Sequence, residues 1–249
     1  MHAYKQDGTP AYKVKMKTKD GLRDTNIKDC RELNLVPSVT EIEKVAAAPA
    51  LTNWLIQQAY LAMATMPEIE GETIDDRIKR AKKDAAEQAN EARDKGIAIH
   101  DALECYFTNG EVIAPYGDYI EGVINKLGEM FGPQEWIAEK YFASPLGYGG
   151  KADLHCPIAV VDFKTKEFVI EEGKKPKKMA YDNHGRQLSA YRAGLGIPEA
   201  RMVNLFISTS EPGLVVAEEH EKDHLDEFLC LLKFWQLIKG YDSSFSDEA

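Results

Sequence analysis

Cysteine is scarce and scattered. The 249 residues hold four, Cys30, Cys105, Cys156 and Cys230, with no C-x-x-C pair and no cluster. That spacing argues against a zinc ribbon, and a disulfide framework is not expected in a chain this long. Reduced thiols in a reducing, cytoplasmic compartment are the expectation. No stretch approaches ~18 uncharged apolar residues, so no membrane span is expected. Met1 to Lys19 is lysine-rich without an apolar core, which is not the pattern of a secretory signal. Internal repeats and low-complexity segments are lacking. Positive charge is in deficit: 31 lysines and arginines face 41 acids, a net of −10. This argues against a protein that coats nucleic acid through bulk charge, but not against an enzyme with a local basic groove.

What is present is an ordinary globular composition, 44% apolar and 29% charged, with enough material for a core. Tyr12 to Lys19 alternates strictly, lysine on one face and Tyr12, Val14 and Met16 on the other, and Asp20-Gly21 supplies a hairpin turn. Lysine on such a face suits either a protected sheet edge or a row of phosphate contacts. Ser38-Val39-Thr40-Glu41 has the pattern of a capping box. Pro49 opens a second helix, with Leu51, Trp54, Leu55, Gln58 and Leu61 at helical spacing. A long helix is expected from Ile74 to about Phe107, with Gly96 inside it marking a bend or a close approach, and a shorter one over Tyr116–Phe131.

The texture then changes. Strands are expected over residues 135–143, 149–154 and 158–163, a charged loop over 171–178, and a helix over 182–194. Two more strands, 203–208 and 214–217, precede a closing amphipathic helix over 225–238. Phe228, Leu232 and Trp235 line one of its faces, which suits a core or a partner. The expected fold is α/β in a single domain: an N-terminal arm over 1–36, a mainly helical part over 37–132, a mixed catalytic sheet with flanking helices over 133–220, and a C-terminal helix over 221–249.

The chemistry concentrates in the sheet. Asp162 and Lys164 are two apart on a strand, so they share a face, and Phe163 points the other way. Asp153 lies on the preceding strand and can converge with them. Two carboxylates repel each other unless a cation joins them, and Mg²⁺ takes one or two carboxylates with waters and phosphate oxygens. Such an ion polarises a phosphodiester and activates water, with an ammonium placed to orient that water or stabilise developing charge. Gln187 and Tyr191 share a helix face at i and i+4.

The residues come in a telling order: Gly96-x-x-x-His100, Glu139, Gly150-x-x-Asp153, Asp162-Phe163-Lys164 and Gln187-x-x-x-Tyr191. Together they resemble the RecB-like branch of the PD-(D/E)XK nuclease superfamily. Pro37-Ser38-Val39-Thr40 and Pro49-Ala50-Leu51-Thr52-Asn53-Trp54 are similar to the N-terminal part of phage-encoded exonucleases of that branch. The resemblance spans roughly residues 37–195. It implies a restriction-endonuclease-like core and a metal-dependent deoxyribonuclease of phage or bacterial recombination, repair or DNA processing. Asp153, Asp162, His100 and the Phe163 carbonyl would hold Mg²⁺ or Mn²⁺, imidazole suiting Mn²⁺ as well. Lys164 would be the catalytic lysine, Glu139 a further catalytic acid, and Gln187 and Tyr191 would orient the site or touch DNA. Where the family more often carries glutamate, this chain has Asp162. Some relatives hold an iron–sulfur cluster on four cysteines, three of them near the C-terminus. Here only Cys230 follows the core, and no cluster is expected.

Local charge permits DNA. Lys164 to Arg192 carries eight basic residues, including Lys166 and Arg186, against four acids, a local net of +4. Glu211 onward carries ten acids against three lysines. The expected partner is DNA, as single strands or ends, with a recombination or helicase partner and no membrane. An endonuclease on the same fold and a non-catalytic DNA-binding module are the rival readings.

Overall fold

A computed structural model of the chain describes residues 1–17, 20–46 and 49–245. The chain divides into two compact units, residues 1–46 with 101–249, and residues 47–100.

The larger unit opens with β1 (Ala3–Tyr4), β2 (Lys13–Lys15) and β3 (Leu22–Asp24). β2 and β3 form the expected hairpin, Val14 opposite Arg23, with Lys13 and Lys15 exposed. Thr18 and Lys19, the end of the alternating segment, lie outside the described residues. Next comes α1 (Ile27–Leu33), a helix that apolar periodicity did not announce. Its start is fixed by a reciprocal capping box: Asn26 accepts from the Lys28 and Asp29 amides, and Asp29 accepts from the Asn26 amide. Arg23 clamps Asp29 with two 2.6 Å bonds. β4 (Val36–Pro37) pairs with β1. α2 (Val39–Glu43) follows, capped by Ser38 Oγ, which accepts from the Glu41 amide at 3.0 Å. Only half of the expected box forms, because Glu41 turns its carboxylate to Lys44 at 2.7 Å.

The smaller unit contains α3 (Pro49–Thr65) and the first part of α4 (Ile74–Asn109). Thr73 starts α4 by accepting the Asp76 amide. Arg80 grips the joining segment through Glu72, at 2.6 and 2.8 Å, and through the Pro67 carbonyl. The apolar positions of α3 do not form a buried stripe: Trp54, Leu55 and Leu61 are exposed. α4 runs through Gly96 without a break.

The larger unit resumes at Asp101. α4 stops at Asn109, and Gly110 takes φ +73, the left-handed conformation that ends a helix at low cost. α5 (Gly117–Phe131), β5 (Ile137–Ser144), β6 (Tyr148–Cys156) and β7 (Ala159–Lys166) come next. They are followed by α6 (Asp182–Gly194), β8 (Arg201–Ser208), β9 (Val215–His220) and α7 (Leu225–Lys239). The sheet order is β5-β6-β7-β8-β9. All neighbours are antiparallel except β7 and β8, which run parallel and are joined through α6. A parallel pair needs such a crossover. Among the described residues the fold is therefore α/β, with seven helices and a five-stranded mixed sheet.

α2, α6 and α7 share one core with β6, β7 and β8, built on Val160, Met202, Leu188, Phe228, Leu232 and Trp235. Each such side chain, fully buried, stabilises the fold by about 1.5–3 kcal/mol. The α7 stripe is thus core. Of the four thiols, Cys30 and Cys156 are buried and Cys230 is exposed. Among the described residues no helix is long and apolar enough to cross a membrane.

Candidate active site

The β6–β7 ladder runs from Cys156–Ala159 to Leu154–Val161 and stops. One step further along the register, Asp153 stands level with Asp162. Instead of a backbone bond, the Phe163 amide donates to Asp153 Oδ2 at 2.8 Å. A similar gap occurs on the other side of β6. Ala138 pairs with Leu154 and Lys140 with Ala152, leaving Glu139 between them at φ +53. A left-handed non-glycine residue inside a strand costs on the order of 1–3 kcal/mol and clusters at functional sites. Glu139, Asp153 and Asp162 therefore lie at one level across three strands, where the sheet opens on both sides of β6.

Asp162 is 2% exposed. Its Oδ2 meets Lys164 Nζ at 2.7 Å and accepts from Asn204 Nδ2 at 2.7 Å. Lys164 also donates to Gln187 Oε1 at 3.1 Å, and Gln187 Nε2 donates to the Tyr191 hydroxyl at 2.9 Å. A buried carboxylate needs its charge paired and its oxygens hydrogen-bonded, and Asp162 has both, with Lys164 half-buried beside it. The Tyr191 phenol is pushed well above its ordinary pKa by burial first and the Asp162 charge second, so it stays neutral. The glycine of Gly150-x-x-Asp153 has a steric reason. A Cβ there would lie 2.8 Å from both Phe142 Cζ and Tyr191 Cε1, so only glycine lets Tyr191 sit against β6. Phe163 points away, its ring stacked on Phe107 of α4 at 6.5 Å.

Three residues that the sequence did not single out complete the surroundings. His184 is buried on the first turn of α6 and accepts from the Tyr181 amide at 3.3 Å. Its pKa is lowered to about 4 by burial, with the Lys164 charge second. It is therefore a neutral imidazole at neutral pH. Asn204, fully buried on β8, links Asp162 to His220 on β9, whose Nε2 is 2.7 Å from Asn204 Oδ1. A signal for Asn204 existed: it is the one polar residue in the apolar run Met202–Ile207, and a buried amide requires partners.

The other expected residues are placed as follows. His100 is half-buried on α4 and is the last residue of the 47–100 unit, while the carboxylates belong to the other unit. Glu139 forms an ion pair with Lys151. Arg186 does not join the cluster. Its guanidinium is taken up by Glu43 of α2, at 2.8 and 3.0 Å, so the arginine expected to meet DNA braces α6 instead. Lys166 is exposed, 5.8 Å above the Tyr181 ring. The loop carrying Lys174, Lys175, Lys177 and Lys178 is exposed throughout but pinned at both ends. Ser210 donates to the Phe168 carbonyl at 3.0 Å, and Glu218 accepts from the Ala180 amide at 3.0 Å.

The donor set is two carboxylates level with each other and the carbonyl of the residue between Asp162 and Lys164. These are hard oxygen ligands. Among the described residues no three His, Cys, Asp or Glu side chains gather into a metal cage. An ion that keeps most of its waters, such as Mg²⁺ or Mn²⁺, fits this set; a structural zinc does not.

No protein-family model matches the chain, and no curated protein matches it. A solved structure described as SSO0001 aligns with 75% of this chain and 85% of its own length, at 14% identity and a TM-score of 0.34.

Proposed function

We propose that the chain is a metal-dependent deoxyribonuclease with a restriction-endonuclease-like core, acting as an exonuclease at DNA ends. The observation that carries this reading is the opening of the sheet around Asp153, with Asp162 level beside it and Lys164 suspended between Asp162 and Gln187. An ion pair on an ordinary hairpin needs no such bracing. Asp153, Asp162 and the Phe163 carbonyl would hold Mg²⁺ or Mn²⁺. When bound, the ion polarises the phosphodiester and lowers the pKa of an attacking water.

The chain's own groups supply the rest. Lys164 carries its charge to the phosphate and orients the water. Gln187 and Tyr191 hold the ammonium in place through the 3.1 and 2.9 Å bonds. Lys164 and its two braces are pre-formed, so no rearrangement of these groups is required at the moment of reaction. Glu139, paired with Lys151, sits at the same level and is the candidate for managing a proton or a second position. Lys166 and the four loop lysines would meet DNA phosphates. Recombination or DNA processing is the setting that the resemblance suggests, with a helicase or recombination partner.

The test is a cleavage assay on 5′- and 3′-labelled single strands, duplexes and a closed circle, in Mg²⁺, Mn²⁺ and EDTA. Metal-dependent loss of linear DNA only, abolished by Lys164→Ala, is expected, and the label pattern gives polarity. Cutting of the circle would replace the exonuclease with an endonuclease. DNA binding without any cleavage would replace the enzyme with a binding module.

A further inference from the structure

Asn204 stands on β8 between Asp162 of β7 and Glu218 of β9 in register. Its side chain is fully buried and has a polar contact at each end: Nδ2 to Asp162 Oδ2 at 2.7 Å, and Oδ1 to His220 Nε2 at 2.7 Å. The hydrogen-bond directions follow from valence. An ionised carboxylate only accepts, so the amide NH₂ must face Asp162. The amide oxygen then faces His220, and it too only accepts, so His220 Nε2 must carry a proton. Nδ1 of His220 lies on the side of Gly185. A Cβ at Gly185 would be 3.2 Å from that nitrogen and 2.8 Å from His224 Cδ2, so the glycine makes the room the ring needs.

We infer that Asn204 and His220 are positioning residues for Asp162, a relay that locks the carboxylate rotamer and leaves Oδ1 as the oxygen for the metal ion. The inference rests on the nuclease reading of Asp162. Oδ2 is taken by two donors from opposite directions in the sequence, Lys164 two residues on and Asn204 from β8. Without His220, the amide loses the partner that fixes which way round it sits. It can turn over and present an oxygen to Asp162, which repels the carboxylate. Partners that orient a metal ligand in this manner typically change metal affinity by 10–100-fold when removed.

Two measurements test this. In the full-length wild-type chain, two-bond ¹⁵N–¹H correlation spectra should show His220 as the Nε2–H tautomer at neutral pH. The Nδ1–H tautomer would overturn the relay, and this readout does not depend on any variant folding. Mn²⁺ titration followed by electron paramagnetic resonance, without DNA, should then show affinity lower by about tenfold or more in His220→Phe. His220→Gln, which can still donate a proton to Asn204, should restore most of it. DNA affinity in EDTA should be unchanged in both variants. A wild type that binds Mn²⁺ and cleaves DNA, beside a His220→Phe chain with equal Mn²⁺ affinity, overturns the relay and leaves the nuclease standing. A wild type that neither binds Mn²⁺ nor cleaves overturns both.

Discussion

Replacing Gly194 with alanine should destabilise the protein, although helix propensity alone predicts the opposite. Gly194 ends α6, and glycine in a helix costs about 1 kcal/mol relative to alanine. A Cβ at this position would lie 2.0 Å from Phe142 Cε2 and 2.4 Å from Cδ2. Ordinary carbon contacts begin at ~3.5 Å, so the ring must retreat by about 1.5 Å. It has little room to do so. Phe142 is 7% exposed and packs edge-on against Tyr148 at 6.2 Å and Tyr191 at 5.8 Å. Overpacking of this kind costs about 1–3 kcal/mol, and a shift this large belongs at the upper end. After the propensity gain, a net loss of about 2 kcal/mol remains, a fall of roughly 4–8 °C in Tm for a chain of this size. The disturbance also reaches Tyr191, hence Gln187 and Lys164, so cleavage should fall with stability. Thermal and urea unfolding measure the first effect and the nuclease assay the second. Phe142→Leu in the Gly194→Ala background should recover stability, with a coupling of about 1 kcal/mol or more. A Gly194→Ala chain as stable as the wild type, or more stable, would refute the packing argument.

Other outcomes follow from the same geometry. Lys164→Met should lower cleavage by about 10²–10³-fold, the effect of losing one preorganised charge donor, while DNA affinity stays within a few fold; a filter-binding and rate comparison decides this. Tyr191→Phe should lower cleavage more modestly and cost about 1 kcal/mol in urea unfolding, because only the acceptor for Gln187 is lost. Arg23→Met should reshape the acid limb of stability. Hydrogen bonds from Arg23 hold the Asp29 pKa down at about 2 against an ordinary 3.8, so the stability this group contributes is complete above pH 3.8 and is lost as pH falls towards 2. Wild type and variant should therefore converge in acid and differ at neutral pH in circular-dichroism unfolding. Changing Lys174, Lys175, Lys177 and Lys178 together to alanine should flatten the salt dependence of single-strand binding by about 0.7 for each phosphate no longer neutralised, and an unchanged slope would remove the loop from the DNA surface.

The parts of this molecule legible in the sequence are those whose signals are local. α6 begins and ends where the pattern places it, at Asp182 and Gly194, and the residues at i and i+4 on it do share a polar face. Asp153, Asp162 and Lys164 lie within twelve residues on two adjoining strands, so their convergence needs only a hairpin and a period of two. What escaped depends on distant chain. Arg186 looked like a DNA contact because its partner, Glu43, is 143 residues away. Asn204 and His220 meet Asp162 through a parallel crossover and the strand after it, which no local spacing encodes. α1 is seven residues long and too short to show a period, so only its capping box marks it. The apolar residues of α3 fall at helical spacing, yet Trp54, Leu55 and Leu61 are exposed, because periodicity says which residues share a face and not what covers that face.

The first forty residues find several of their partners at the far end of the chain. The Tyr241 hydroxyl donates to the Leu35 carbonyl across 206 positions, and Arg31 reaches the Lys239 carbonyl across 208. During synthesis, α1 and β4 leave the ribosome well before α7 and wait for it. At about 5–20 residues per second that wait lasts roughly 10–40 s, during which apolar residues such as Leu35 and Val36 lack the clasp that later closes beside them. A chain interrupted before residue 239 lacks both bonds, so the layer that β1 and β4 lay against β6 is fastened only late in translation.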